Sequence, residues 1–341
     1  MDDLPSGARL LADIGGTNAR FALQRAPGRI EGVATLACAD YSRFSDAVRA
    51  YLGGHPGVRV AHAAIAIANP VEGDLVKMTN HCWEFSIAAV RGELGLDTLL
   101  VVNDFAALAM SVPELACTDL VQVGGTKAVP GGVIGLVGAG TGLGVAGLLP
   151  DGGRWSVLQS EGGHAAFSPA DRREQAILDF CWRRWEHVSS ERLVSGPGLA
   201  LIHEALSMRN GVAAEVLSPA TIVERGLAGT DSLCAEVLEV FCGMLGTVAA
   251  NVAVTLCARG GIYIGGGVVP RLGEWFARSP FRARFENKGR FSSFTARIPC
   301  FVIHAPHPAL AGAAALLQRH LDDDAARRAG RPLPEVFNAH A

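Results

Sequence analysis

The chain is 341 residues long, 49% hydrophobic, and carries a net charge of −3 at neutral pH. That length accommodates two domains with separate cores, and so apolar a composition excludes a disordered chain. A pI near 6.4 argues against a nucleic-acid partner, because affinity for a phosphate backbone needs a basic face.

In chain order, the first predicted element is a hairpin over 9–24, in which LLADI runs into Gly15-Gly16-Thr17 and leaves as NARFALQR. A third strand follows at 30–38, then an amphipathic helix over 42–54 that a Gly-Gly pair stops. VAHAAIAIA (60–68) reads as a buried strand ended by Asn69-Pro70, SIAAVRGEL (86–94) as a short helix, and LLVVND (99–104) as a strand of the parallel-sheet kind before a helix from Phe105. The second half repeats the plan: a hairpin over 132–149, a strand at WSVLQ (155–159), helices near 171–186, 197–208 and 231–258, an apolar strand at 261–267 and a last helix over 307–321. The region 212–230 reads as a connecting helix and loop, and the polar residues 322–341 as a frayed tail.

Two features set the compartment. Residues 131–149 are uncharged and long enough to cross a bilayer, but their glycines and central turn residues specify strand–turn–strand, so no membrane partner is expected. The N-terminus lacks the apolar run of a signal peptide. The eight cysteines (38, 82, 117, 181, 234, 242, 257 and 300) contain no C-x-x-C pair, so a reduced, cytoplasmic protein without zinc is expected.

The chemistry sits at the strand ends. In both hairpin turns the absence of Cβ lets backbone N–H groups approach phosphate oxygens. Gly15, Gly16, Thr17 and Asn18 form the first such turn, and Gly138, Gly140, Thr141 and Gly142 the second. Neither is a P-loop, and the second fails the dinucleotide register because Leu143 stands where the third glycine belongs. Asp13 is either a turn aspartate or a carboxylate placed to orient hydrated Mg²⁺ on a triphosphate. Asp104 is either the N-cap of the following helix or a carboxylate at a strand's carboxyl end, where it can accept a proton from a hydroxyl. Glu161 and His164 flank two glycines and can present an acceptor and a donor to sugar hydroxyls. Glu191 reads locally as a solvated helix-start residue. Gly265-Gly266-Gly267 is either a tight turn or a place for a flat ring to approach the backbone.

Together these segments resemble the bacterial glucokinase family, the non-ROK branch of the superfamily that includes hexokinase, actin and the Hsp70 ATPase. The resemblance runs in order through LADIGGTNARFAL, MTNHCWEFS, NDFAALAM, GAGTGLGVA, SEGGHAAFSP, ERLVSGPGL and GGIYIGGGVVPRL, from about residue 9 to 318. It implies an α/β protein with a duplicated ribonuclease H-like (actin-like ATPase/hexokinase) fold, two domains flanking a cleft. The small domain would be 1–113 plus 306–321 and the large one 114–305. It further implies ATP-dependent phosphorylation of glucose at its 6-hydroxyl, with ATP and Mg²⁺ and without zinc, by a homodimer. Asp104 would be the general base, Asn80, Asn103, Glu161, His164 and Glu191 would bind the sugar, and Asp13 would hold Mg²⁺ through water. Gly15 to Asn18, Gly138, Gly140 to Gly142 and Gly265 to Gly267 would hold ATP. Ala166 stands where relatives often carry Asp, and neither the ROK zinc cluster nor a helix-turn-helix extension is expected. A kinase for another hexose and a sugar sensor without turnover are the alternatives.

Overall fold

The structure is a computed structural model that describes residues 7–78 and 81–331. Asn80 and the end of the tail from 332 therefore lie outside the described residues. The chain divides into two compact units: Met1–Leu115 with Asp151–Val157 and Ala305–Ala341, and Ala116–Pro150 with Leu158–His304.

The first unit begins with β1 (Ala8–Ile14), β2 (Asn18–Ala26) and β3 (Arg29–Ala37), followed by α1 (Phe44–Gly53) and β4 (Val60–Ile67). β5 (Leu75–Lys77) and β6 (Glu84–Ser86) pair with each other, and α2 (Ile87–Glu93), β7 (Thr98–Asn103) and α3 (Asp104–Ser111) complete the run. The main sheet has the order β3-β2-β1-β4-β7, antiparallel among the first three strands and parallel from β1 to β7. Both faces of this sheet are covered. Leu10, Ala12, Ile14, Ala63, Ile65 and Ile67 join one core with Phe44, Val48 and Tyr51 of α1, whereas Leu11, Ala64 and Ala66 join another with Ala107 of α3. This double burial is why β1 and β4 read as unbroken apolar runs instead of alternating ones.

The second unit holds β8 (Leu120–Gln122), β9 (Ile134–Ala139), β10 (Leu143–Asp151) and β11 (Arg154–Ser160), then α4 (Arg172–Trp182), α5 (Ser190–Leu193), α6 (Gly196–Arg209), α7 (Pro219–Ala228) and α8 (Ser232–Leu256). After β12 (Gly261–Gly265) come α9 (Trp275–Arg278), α10 (Phe281–Glu286), α11 (Ser292–Thr295) and β13 (Cys300–Ile303). Its sheet runs β11-β10-β9-β12-β13-β8. β9 and β10 repeat the antiparallel hairpin of β1 and β2, and β12 lies parallel to β9 as β4 does to β1. The region 212–230 contains α7, as expected, and the predicted strand at 261–267 ends at Gly265. α8 is 25 residues long and apolar enough to cross a membrane, but 78% of its most apolar stretch is buried inside this unit. It is the helix on which the large core is built, with Val237, Phe241, Leu245 and Ala249 packed on Leu199, Ile202, Ile222 and Phe281.

An ion network ties α4 to α10. Glu174 is 1% exposed, and its carboxylate accepts from the Ala170 N–H at 2.7 Å and from Arg284 at 2.6 Å, while Arg284 also reaches Asp171 at 3.1 Å.

The chain then closes the first unit with α12 (Pro308–Arg328), which runs along α3 so tightly that a Cβ on Gly312 would stand 1.6 Å from the Ala107 carbonyl oxygen. Two expectations are corrected here. Residues 322–328 are helical, not frayed, because Asp323 pairs with Arg154 at 2.9 Å and Asp324 with Arg327 at 2.7 Å. The tip of the β10–β11 hairpin, 151–157, belongs with the first unit and not the second, held there by Arg319, which donates to the Trp155 carbonyl and the Ser156 hydroxyl.

Candidate functional site

Each unit carries a glycine turn at the same place in its sheet, between the two antiparallel strands of its leading hairpin. In the first unit, the Gly15 N–H donates to the Asn18 carbonyl at 2.9 Å, and the Thr17 carbonyl accepts from the Cys38 N–H at 2.9 Å. A Cβ on Gly15 would meet only the Asn18 carbonyl, at 3.7 Å, and Gly15 has no left-handed φ. Nothing in the fold itself therefore demands glycine at 15; what the missing side chain leaves is open backbone.

Asp13 stands opposite Arg20 in the β1–β2 register, and the Arg20 guanidinium lies 3.1 Å from its carboxylate. Burial pushes the Asp13 carboxyl above its ordinary value, and the positive field of Arg20 and His307 reduces that rise without cancelling it. His307, which no motif singled out, holds φ 51° just before Pro308 at the start of α12. A left-handed conformation is costly for a non-glycine residue and is concentrated at functional positions. The His-Pro pair ahead of the last helix is the only signal the sequence offers for it.

The strand ending in Asn103-Asp104 differs from expectation in a way that matters. β7 stops at Asn103, and Asn103, not Asp104, caps α3: its side-chain oxygen accepts from the N–H groups of Phe105 at 2.9 Å and Ala106 at 3.0 Å. Its amide nitrogen donates to the Asn69 carbonyl at 3.3 Å, tying the ends of β4 and β7 together. The N-cap reading of Asp104 is thereby excluded. Asp104 occupies the first helical position, at the carboxyl end of a buried parallel strand, where the helix dipole favours its negative charge.

In the second unit the turn between β9 and β10 brings the other predicted residues together. Gly138 sits inside β9 with Gly144 on one side and Gly265 on the other, so the strand ends at Gly140 and at Gly266 are neighbours. Gly266 is fixed by the fold: its φ is +80°, and a Cβ there would stand 2.3 Å from the Ala139 carbonyl. Gly140 and Gly267 have open space where a side chain would go. The glycine segments thus separate into positions the fold requires and positions where a side chain would meet open space.

Glu161 precedes a single 3-10 turn over Gly162–His164. His164 Nε2 lies 3.8 Å from the Glu161 carboxylate, and its Nδ1 lies 4.0 Å from that of Glu191. All three side chains keep solvent exposure, as groups meant to meet a polar ligand do. Glu191, read locally as a solvated helix-start residue, is instead turned inward: its carboxylate accepts from the Leu143 N–H at 2.9 Å. Among the described residues no group of three metal-ligating side chains occurs, so a cation held at Asp13 would draw its remaining ligands from elsewhere, such as phosphate oxygens and water.

Two sheets built on one plan, each with a glycine turn in its leading hairpin, define an actin-like ATPase fold of the kind found in sugar kinases. A family model described as Glucokinase matches residues 10–320, and the chain belongs to that family. It is 53% identical over 92% of its length to a glucokinase of Chromobacterium violaceum, covering 90% of that protein. It is 55% identical over 97% of its length to the "Bifunctional protein glk" of Paraburkholderia xenovorans, covering 51% of that protein. The chain thus spans about half the length of such bifunctional relatives. Among solved structures, the crystal structure of a glucokinase from an Antarctic psychrotroph superposes with a TM-score of 0.83 at 34% identity, covering 92% of this chain and 99% of that one.

Proposed function

We propose that the chain transfers the γ-phosphoryl group of ATP to the 6-hydroxyl of glucose. The observation that carries this reading is the grouping, inside one unit, of three polar side chains suited to sugar hydroxyls (Glu161, His164 and Glu191), of which Glu191 also holds the glycine turn at Leu143. An acceptor sugar and a phosphate donor are what such neighbours suit.

In the proposed step, Asp104 takes the proton of the sugar 6-hydroxyl, the new O–P bond forms, and the bond to the β-phosphate oxygen breaks to leave ADP. General-base assistance of this kind is worth about 10²–10⁴ in rate. The Gly15 and Gly140 N–H groups are donated within their own turns, at 2.9 and 2.8 Å, so the amides that follow them, of Gly16 and Thr17 and of Thr141, are those that would meet the phosphates and offset charge where it develops. Asn103 positions Asp104 by capping α3. Asp13 fits Mg²⁺ as a water-mediated ligand, because its carboxylate is partly desolvated and, among the described residues, pairs with one arginine, Arg20. When bound with ATP, Mg²⁺ would neutralise phosphate charge. The turn of Gly265 to Gly267 would take the adenosine side. Asn80 in the sugar subsite, a homodimer, a cytoplasmic setting and independence from zinc belong to the same reading.

The test is hexose 6-phosphate formation by the purified chain with Mg-ATP, with glucose, mannose, fructose and glucosamine compared side by side. Preference for glucose is expected. Preference for another hexose would keep the mechanism and change the substrate. Glucose binding by calorimetry without any turnover would overturn the reading in favour of a sensor.

A second expectation concerns pH. Asp13 must be ionised to hold a cation, so Mg-ATP affinity falls as pH drops through its raised pKa. Arg20 lowers that pKa, so Arg20→Ala is expected to move the loss of affinity to higher pH, measured by titration calorimetry from neutral pH downwards. An unchanged midpoint would remove Asp13 from the metal-binding role.

A further inference from the structure

The sugar loop and the second phosphate turn meet at one residue. Leu143 leaves the turn, and its N–H is held by the Glu191 carboxylate at 2.9 Å. Its carbonyl lies directly under the sugar loop, where a Cβ on Gly163 would stand 2.0 Å from the oxygen. A Cβ on Gly142 would stand 2.4 Å from the same Glu191 carboxylate. Gly163 is therefore required by the Leu143 backbone, and Gly142 leaves the room that the Glu191 carboxylate occupies, unlike Gly140, which faces open space.

Residues 187–196 extend this contact into a strap. At one end the ring Nε2 of His187 lies 3.0 Å from the His164 carbonyl, the Ser190 N–H donates to the Ala165 carbonyl at 2.9 Å, and the Phe167 N–H donates to Val188 at 2.8 Å. Ala166 and Ser189 form an isolated bridge, so the loop is supported there by backbone. At the other end Glu191 holds Leu143, and the Gly196 N–H donates to the Gly140 carbonyl at 2.7 Å. One short segment thus grips both loops through hydrogen bonds at each end.

We infer that the strap makes sugar and nucleotide binding mutually reinforcing, with Glu191 acting as a positioning residue for the phosphate turn as well as a sugar ligand. The inference rests on the assignment of these two loops to sugar and phosphate. A ligand that orders one loop fixes the strap, and the fixed strap presents the other loop already ordered, so the second ligand binds more tightly.

The experiment is calorimetric titration of glucose into the full chain, with and without a non-hydrolysable ATP analogue and Mg²⁺, together with the reverse titration. In the wild type the analogue should tighten glucose binding by about 5-fold or more, within the range usual for coupled sites. Gly142→Ala displaces the Glu191 carboxylate. Although it lies on the phosphate side, it should weaken glucose binding about 10-fold in the absence of nucleotide and bring the coupling ratio close to one. Gly163→Ala, on the sugar side, should weaken the analogue in the absence of sugar. Thr141→Ala, which leaves the strap intact, should weaken the analogue alone and keep the wild-type ratio. If Gly142→Ala does not fold, Gly196→Ala takes its place, since its Cβ would press at 3.1 Å on the Gly140 carbonyl. Normal glucose affinity in the strap variant without nucleotide, or a wild-type ratio of one, would overturn the strap and leave the kinase reading standing. A wild-type chain that binds neither ligand would overturn both.

Discussion

Asp104→Ala is expected to lower kcat by about 10²–10⁴-fold while changing the glucose dissociation constant less than about tenfold. The separation follows from where the groups lie. The proposed sugar contacts, Glu161, His164 and Glu191, sit in the second unit, whereas Asp104 opens α3 in the first. Loss of fold will not imitate the effect. Asn103 supplies the cap, so removing the Asp104 carboxylate leaves the start of α3 capped, and a charge at that position is typically worth about 0.3–1 kcal/mol to the helix dipole. Asp104→Asn should behave alike, because it keeps the shape and lacks the basicity. Steady-state rates and calorimetry on the same preparation decide the matter. A variant that keeps more than about a tenth of the wild-type rate would remove Asp104 from the role of base, since the smallest general-base contribution is larger than that.

The two hairpins were legible because a turn of small residues between apolar arms admits few other structures. What the sequence could not show was which glycine does what. Gly15, Gly140, Gly142, Gly266 and Gly267 read alike as letters. Yet Gly142 makes room for the Glu191 carboxylate and Gly266 is required by the Ala139 carbonyl, while Gly15, Gly140 and Gly267 face little or nothing. The contacts that separate them come from residues far along the chain. The same holds for Asn103 and Asp104. Both residue types cap helices well, and the choice falls to Asn103 because it pairs with Ile67 as the last residue of β7 and Asp104 is already helical. Residues 322–328 looked frayed because their polar composition carries no apolar stripe. The partner that holds Asp323 is Arg154, 169 positions away, and no local pattern reveals it. The inward turn of Glu191 was hidden for the same reason, since its partner Leu143 lies 48 positions upstream.

Arg284→Met should cost about 3–5 kcal/mol of stability. Glu174 is 1% exposed, and Arg284 is its only charged partner among the described residues. Removing Arg284 while leaving Glu174 strands a carboxylate that keeps one backbone N–H, from Ala170, as its hydrogen-bond donor. Adding Glu174→Gln should therefore restore a large part of the loss, because the side chain then carries no charge and still accepts from Ala170. Urea unfolding of the two single variants and the double variant gives the comparison. A loss below about 1 kcal/mol for Arg284→Met would place the pair with surface salt bridges. Acid provides an independent check through Asp171. Burial raises the Asp171 carboxyl, but the Glu174 N–H and the Arg284 charge outweigh it, so its folded pKa lies below the ordinary 3.8. A depressed pKa contributes stability above the unfolded value and loses it as pH falls through the folded one. Arg284→Met weakens that depression. The variant should then lose less stability than the wild type between neutral pH and about pH 3, and the gap between the two unfolding curves should narrow as the solution is made acidic.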